Sequence, residues 1–133
     1  MICVDTTYLV DLWRQRDSER SAARELLVSH SGEDFAVPAH AAGEFLEGGA
    51  SISPRRLADT LEFLRLFRIG DVGVETALGY ARIVAHLRRA SALGGRSKPD
   101  LWIAAWAVEH SARLVTRNEK HFRGVPDLEL ILY

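Results

Sequence analysis

The sequence predicts an α/β fold, a mainly parallel sheet with helices on both faces, and three observations carry that expectation. Short β-branched apolar runs alternate along the chain with segments whose apolar residues recur at helical spacing. Strands that alternate with helices pair in parallel through right-handed crossovers, because a parallel partner needs a long connection that a tight hairpin does not supply. The composition, 47% hydrophobic and 26% charged in 133 residues, suits one ordinary globule that buries roughly two thirds of its unfolded surface.

Each element has its own signal. Ile2 to Val4 is a short apolar run that stops at Asp5, and Leu9, Val10, Leu12 and Trp13 follow at helical spacing with Thr6 or Thr7 as N-cap. A second helix over residues 19–30 rests on Ala22, Ala23, Leu26 and Leu27, and Ser31-Gly32-Glu33-Asp34 breaks it. Phe35 to Val37 is the next strand, after which Pro38 opens a helix carrying Ala41, Ala42, Phe45 and Leu46 up to Gly48-Gly49. Ser53-Pro54 caps another helix, with Leu57, Leu61, Leu64 and Phe67 on one face, and a short strand lies between Phe67 and Val72. Val74 to Ala92 reads as a long amphipathic helix ended by Gly94-Gly95. A basic loop, a helix from Pro99 to about His110, a strand from Arg113 to Thr116, a polar loop and a last strand from Leu128 to Leu132 complete the chain.

The same composition excludes several classes. No internal repeat or linker is visible, so residues 1–133 are expected to form one domain. The longest apolar run, Leu101 to Val108, has eight residues, against the roughly 20 that a membrane-spanning helix needs. Met1-Ile2-Cys3-Val4-Asp5 has no secretory pattern, so the expected location is the cytoplasm. A lone Cys3 in an apolar run packs as a small hydrophobe and supports neither a disulfide nor a cysteine-rich zinc site. The net charge is -1, yet between residues 82 and 123 nine basic side chains face three acids, and fifteen of the seventeen basic residues are Arg. The planar guanidinium fork matches phosphate oxygens, which favours a phosphate-bearing partner; solvated helix faces with local ion pairs explain the same residues without one.

In an open parallel sheet, ligands gather beyond the carboxyl ends of the strands. Asp5 ends the first strand, Glu44 lies in the helix after the second, Asp100 opens the helix before the fourth, and Asn118 follows the fourth. Asp5 also suits a helix cap, and Glu44 suits a surface pair with His40 one turn earlier. Asp100 is less easily explained by capping, because it falls in the apolar sector with Ile103, Ala104 and Ala107, where a bare carboxylate must pair, bind a metal or take up a proton. Oxygen-only donors suit Mg²⁺ or Mn²⁺, and the five histidines show no spacing such as HExxH. GxSxG and GxGxxG are absent, and Gly94-Gly95-Arg96-Ser97-Lys98 lacks the order of a phosphate loop.

Three segments, ICVDTTYLVDLWR, PAHAAGEFLEG and KPDLWIAAWAVEHSARLVTRNEKHF, occur in this order across essentially the whole chain. Together they resemble the PIN-domain nucleases and, within them, the VapC-type toxins of bacterial toxin-antitoxin pairs. The resemblance implies a PIN-like three-layer α/β/α sandwich around a five-stranded sheet and a metal-dependent endoribonuclease. Asp5, Glu44 and Asp100 would hold one or two Mg²⁺ ions, with Mn²⁺ as a substitute, and Thr6 and the Thr116 to Asn118 loop would support them. Arg96, Lys98, Arg117 and Lys120 would hold the RNA backbone. A VapB-like antitoxin whose tail crosses the acidic cleft, and a homodimer, belong to the same expectation. Asn118 departs from it, since many relatives carry an Asp there, and a neutral amide weakens a second metal position. Asp11 matches an acid of some relatives, but its spacing from Tyr8 and Leu12 suits a solvated helix surface. Two alternatives stay open: a non-catalytic PIN-like module that binds a protein, and a nuclease acting on DNA.

Overall fold

A computed structural model describes all residues from Met1 to Tyr133. Five strands, β1 (Ile2–Val4), β2 (Phe35–Pro38), β3 (Arg68–Gly70), β4 (Arg113–Thr116) and β5 (Leu130–Leu132), form one sheet in the order β3-β2-β1-β4-β5. Every pairing is parallel, so the sheet is wholly rather than mainly parallel. Ile2, Cys3 and Val4 are all fully buried although successive side chains point to opposite faces, which means that both faces of the sheet are covered.

The cover comes from seven helices: α1 (Thr6–Arg14), α2 (Ala22–Ser29), α3 (Ala39–Ala50), α4 (Pro54–Phe63), α5 (Val74–Arg89), α6 (Lys98–Glu109) and α7 (Glu119–Phe122). α5 packs on α6, α3 packs on α4, and a 3-10 turn at Leu64–Leu66 leads into β3. The core joins both sides of the sheet through Tyr8, Leu9, Phe45, Leu87, Ile103, Trp106 and Phe122.

The sequence expectations differ from the structure mainly at ends. The cap of α1 is Asp5 rather than Thr6 or Thr7, with its carboxylate accepting the Tyr8 N–H at 2.7 Å. Strand β2 runs through Pro38, which then precedes α3 without a side-chain cap. α2 begins only after Ser21, whose hydroxyl accepts the Arg24 N–H. α5 ends at Arg89, well short of Gly94, because Ser91 itself takes the left-handed turn at φ 55°. The polar loop after β4 contains α7, little more than one turn of helix and too short for a periodic signal.

One close approach fixes β3. A Cβ added at Gly70 would stand 2.2 Å from the Trp106 ring, and that ring is held by its own N–H donating to the Asp71 carbonyl at 2.9 Å. Trp106 is 2% exposed and has nowhere to go. Gly70→Ala is therefore expected to destabilise the fold by about 1–3 kcal/mol through overpacking, read as a lower urea midpoint with an unchanged slope. An unchanged midpoint would show that the α6 face of β3 can yield.

Candidate active site

The register of β1 on β4 pairs Val4 with Val115, so the next residue on each strand, Asp5 and Thr116, stand side by side at the carboxyl ends. The same two strands mark the point where the sheet order reverses, since β1 leads outward to β2 and β3 while β4 leads to β5. A crevice opens at such a point. Asp5 is 1% exposed there, and its two oxygens are divided between two donors. Oδ1 takes the Tyr8 N–H, and Oδ2 takes the Thr116 hydroxyl at 2.7 Å. The helix-cap reading and the site reading of Asp5 are thus both satisfied by one side chain. Each oxygen keeps a lone pair.

Burial pushes the Asp5 carboxyl up to about 6; the hydrogen bonds from Thr116 and Tyr8 pull it down, and the charges of Asp100 and Asp11 push it up further. Asp100 thereby belongs to the same electrostatic neighbourhood. It is half-buried, less sunk in the apolar sector than its helical position predicts, and its Oδ2 lies 2.7 Å from Nδ1 of His121 in α7. Glu44 is exposed on α3 and accepts the Thr6 hydroxyl at 2.8 Å, in place of the expected pairing with His40. His40 turns instead to the Pro99 carbonyl, 3.4 Å from its Nε2. Asn118 donates its backbone N–H to the Thr116 hydroxyl and its amide NH₂ to the Thr7 hydroxyl, which leaves its amide oxygen free.

The structure thus links Asp5 to Thr116, Thr116 to Asn118 and Glu44 to Thr6, with Thr6 following Asp5 directly in the chain. It does not close the carboxylates into a ready cage: no three His, Cys, Asp or Glu side chains are arranged to enclose an ion. Mg²⁺ does not need such a cage. It usually keeps several waters and takes one or two carboxylates plus substrate phosphates. The all-oxygen donors of Asp5, Asp100 and Glu44, each with an unshared oxygen or lone pair, fit that habit.

Two features escape the sequence reading. Asp11 is 7% exposed rather than solvated, and it accepts the Tyr133 hydroxyl at 2.9 Å and lies 3.3 Å from the Arg117 Nε. Tyr133 sits at the far end of the chain, and its ring meets Tyr8 edge-on at 5.1 Å, a contact no local pattern announces. The second is His121, whose only sequence signal is its place three residues after Asn118. Among the four basic candidates, Lys98, Arg117 and Lys120 are exposed or nearly so, whereas Arg96 is half-buried. Its guanidinium donates to the carbonyls of Ala92, His121 and Arg123, so Arg96 ties the α5–α6 loop to α7 and has little left for a phosphate.

A parallel α/β sandwich with acids at its switch point defines the class. The PIN domain model matches residues 2–128, and the chain belongs to that family. It is 29% identical over 133 residues to ribonuclease VapC1 of Methanocaldococcus jannaschii, a match spanning 99% of this chain and 86% of that protein. Among solved structures, VapBC2 from Rickettsia felis bound to a DNA fragment of its promoter superposes with a TM-score of 0.86 at 22% identity, over 100% of this chain and 99% of that one. DNA-bound VapBC from Salmonella typhimurium gives 0.82 at 20% identity, over 99% of this chain and 98% of that one.

Proposed function

We propose that this chain is a metal-dependent endoribonuclease, the toxin of a toxin-antitoxin pair, with residues 1–133 as a single PIN domain acting in the cytoplasm. The observation that carries the reading is Asp5, a carboxylate sunk at the β1/β4 crevice with its pKa raised and Asp100 close enough to raise it further. A fold that merely needed a helix cap would not add a second negative charge beside a buried one. The ribonuclease name of the Methanocaldococcus relative supports the activity, and the VapBC neighbours support a VapB-like antitoxin as partner.

Asp5, Asp100 and Glu44 would hold Mg²⁺, or Mn²⁺ in its place, and the bound ion would supply an activated water and neutralise phosphoryl oxygens. The chain's own residues prepare the site for it. Thr116 and the Tyr8 N–H fix both oxygens of Asp5 in one orientation, Thr6 holds one oxygen of Glu44, and Asn118 locks the Thr116 hydroxyl by donating to it. The His121 imidazole, at 2.7 Å from Asp100, either donates its Nδ1 proton to that carboxylate or accepts from its acid form, so it holds Asp100 in place. Lys98, Arg117 and Lys120 offer cations around the crevice for the RNA backbone.

Purified protein is expected to cut RNA in Mg²⁺ or Mn²⁺, to stop in EDTA, and to leave DNA of the same sequence intact. Equal cutting of the DNA would replace RNA by a broader substrate, and no cutting of either together with no micromolar Mn²⁺ binding by calorimetry would favour the protein-binding module. The exposed Leu61 and Ile69, which line one apolar hollow with Leu46 and Phe67, support a homodimer. Light scattering at tens of micromolar should give twice 14.8 kDa, and a monomer there would refute it.

A further inference from the structure

Beside Glu44 lies a cavity of about 440 Å³ lined by His40, Glu44, Val72, Lys98, Pro99 and Trp102. That volume falls in the range of roughly 300 to 1,000 Å³ typical of small-ligand sites. Its wall is built from rings. Trp102 is half-buried and stacks on Tyr80 of α5 at 4.6 Å and 13°, and His40 meets Trp102 edge-on at 6.5 Å. A second cavity, of about 420 Å³, begins at Tyr80 and is lined by Val84, Arg88, Lys98 and Leu101 among others. Lys98 lines both. A stacked aromatic pair beside a carboxylate of the cutting site, with Lys98 next to it and Arg88 further on, offers what one nucleotide of a single strand needs: a π-face for the base and a positive charge for the adjoining phosphate.

We propose that the Trp102 cavity is a nucleobase subsite that receives one unpaired base next to the cleaved bond of the RNA, with Lys98 holding the following phosphate on the way to Arg88. The inference rests on the nuclease reading and adds to it the residue that receives the base. A paired base cannot enter, because its faces are already covered by its neighbours in the stack. Tyr80 backs Trp102 from behind and keeps its ring from turning with the incoming base. The apolar lining of Val72 and Pro99 limits water at the base edge, so that discrimination falls to the Glu44 carboxylate and the His40 imidazole, while Lys98 serves the phosphate.

The test combines binding and cleavage. Fluorescence anisotropy of labelled pentanucleotide RNAs in EDTA, where no cutting occurs, should show Trp102→Ala binding about tenfold more weakly than the parent, within the range that base–aromatic stacking gives. Trp102→Phe should keep most of the affinity. Trp102→Leu, which preserves apolar volume against Tyr80, should behave like the alanine variant and guards against a folding defect. Lys98→Gln should weaken all sequences alike and flatten the salt dependence by about one charge. In Mg²⁺, cleavage of a randomised RNA pool followed by sequencing should show a base preference at one position beside the cut that Trp102→Ala loses. If Trp102→Ala and Trp102→Leu bind and cut with the affinity and preference of the parent, the subsite is wrong and the nuclease reading stands. If the parent itself neither binds nor cuts RNA, both fall together.

Discussion

Asp5→Asn and Asp100→Asn each cut RNA on the order of 10²- to 10³-fold more slowly than the parent protein, with melting temperatures no lower than the parent's in EDTA. The rate loss follows from what those charges are for. Stabilising charge that develops on a phosphoryl group in a water-poor crevice is worth several kcal/mol, and neutralising one of the carboxylates that would hold the cation removes it. Asn retains the shape and the acceptor oxygen of Asp, so the Tyr8 N–H keeps its partner, and the new NH₂ can donate to the Thr116 hydroxyl. Thr116→Val should do less, about 10- to 100-fold, because it removes the hydroxyl that orients Asp5 and holds the Asn118 N–H but leaves every carboxylate in place. Gel assays with a labelled RNA at saturating Mg²⁺ separate these levels. Full activity of folded Asp5→Asn protein would end the metal-site reading, whatever the family likeness.

The order of these effects was partly legible in the sequence. Asp5, Asp100 and Asn118 stand at or near element boundaries, Glu44 lies within the helix that follows β2, and a parallel sheet read from alternating strands and helices already sends boundaries after strands to one edge. What brings Asp5 beside Thr116 is a register, Val4 on Val115, between segments more than a hundred residues apart, and register is set by packing rather than by local pattern. The Asp11–Tyr133 bond was hidden for the same reason. Arg96 misled in the opposite sense. An Arg in a glycine-rich loop has the look of a phosphate ligand, yet its guanidinium instead satisfies one carbonyl of that loop, at Ala92, and two at the end of α7, at His121 and Arg123. Helix α7 lay outside any periodic test because four residues do not complete a second turn.

Without divalent ions, Asp5→Asn should melt above the parent at pH 8 and level with it near pH 4. Unfolded, Asp5 titrates near its ordinary 3.8; in the fold it is pushed up to about 6, chiefly by burial. The native state therefore holds the proton more tightly, so folding gains from Asp5 in acid and loses that gain as pH rises from about 4 through 6. A carboxyl raised from 3.8 to about 6 corresponds to about 3 kcal/mol, an upper figure, and so to at most about 11 °C for a chain of this size. Other groups titrate over the same range. Glu33, held low by its bond to Arg113, favours the fold at higher pH with the opposite sign, which is why the quantity to follow is the difference between variant and parent. That difference cancels every group the substitution leaves alone. Adding Mg²⁺ or Mn²⁺ at pH 8 should raise the parent and leave Asp5→Asn nearly unmoved, since only the charged carboxylate gains from a cation bound to the native state. A variant that melts below the parent at pH 8 in EDTA would mean that the Asp5 carboxylate supports the fold through its hydrogen bonds more than its burial costs, and the crevice would then carry no stored electrostatic strain for a metal to relieve.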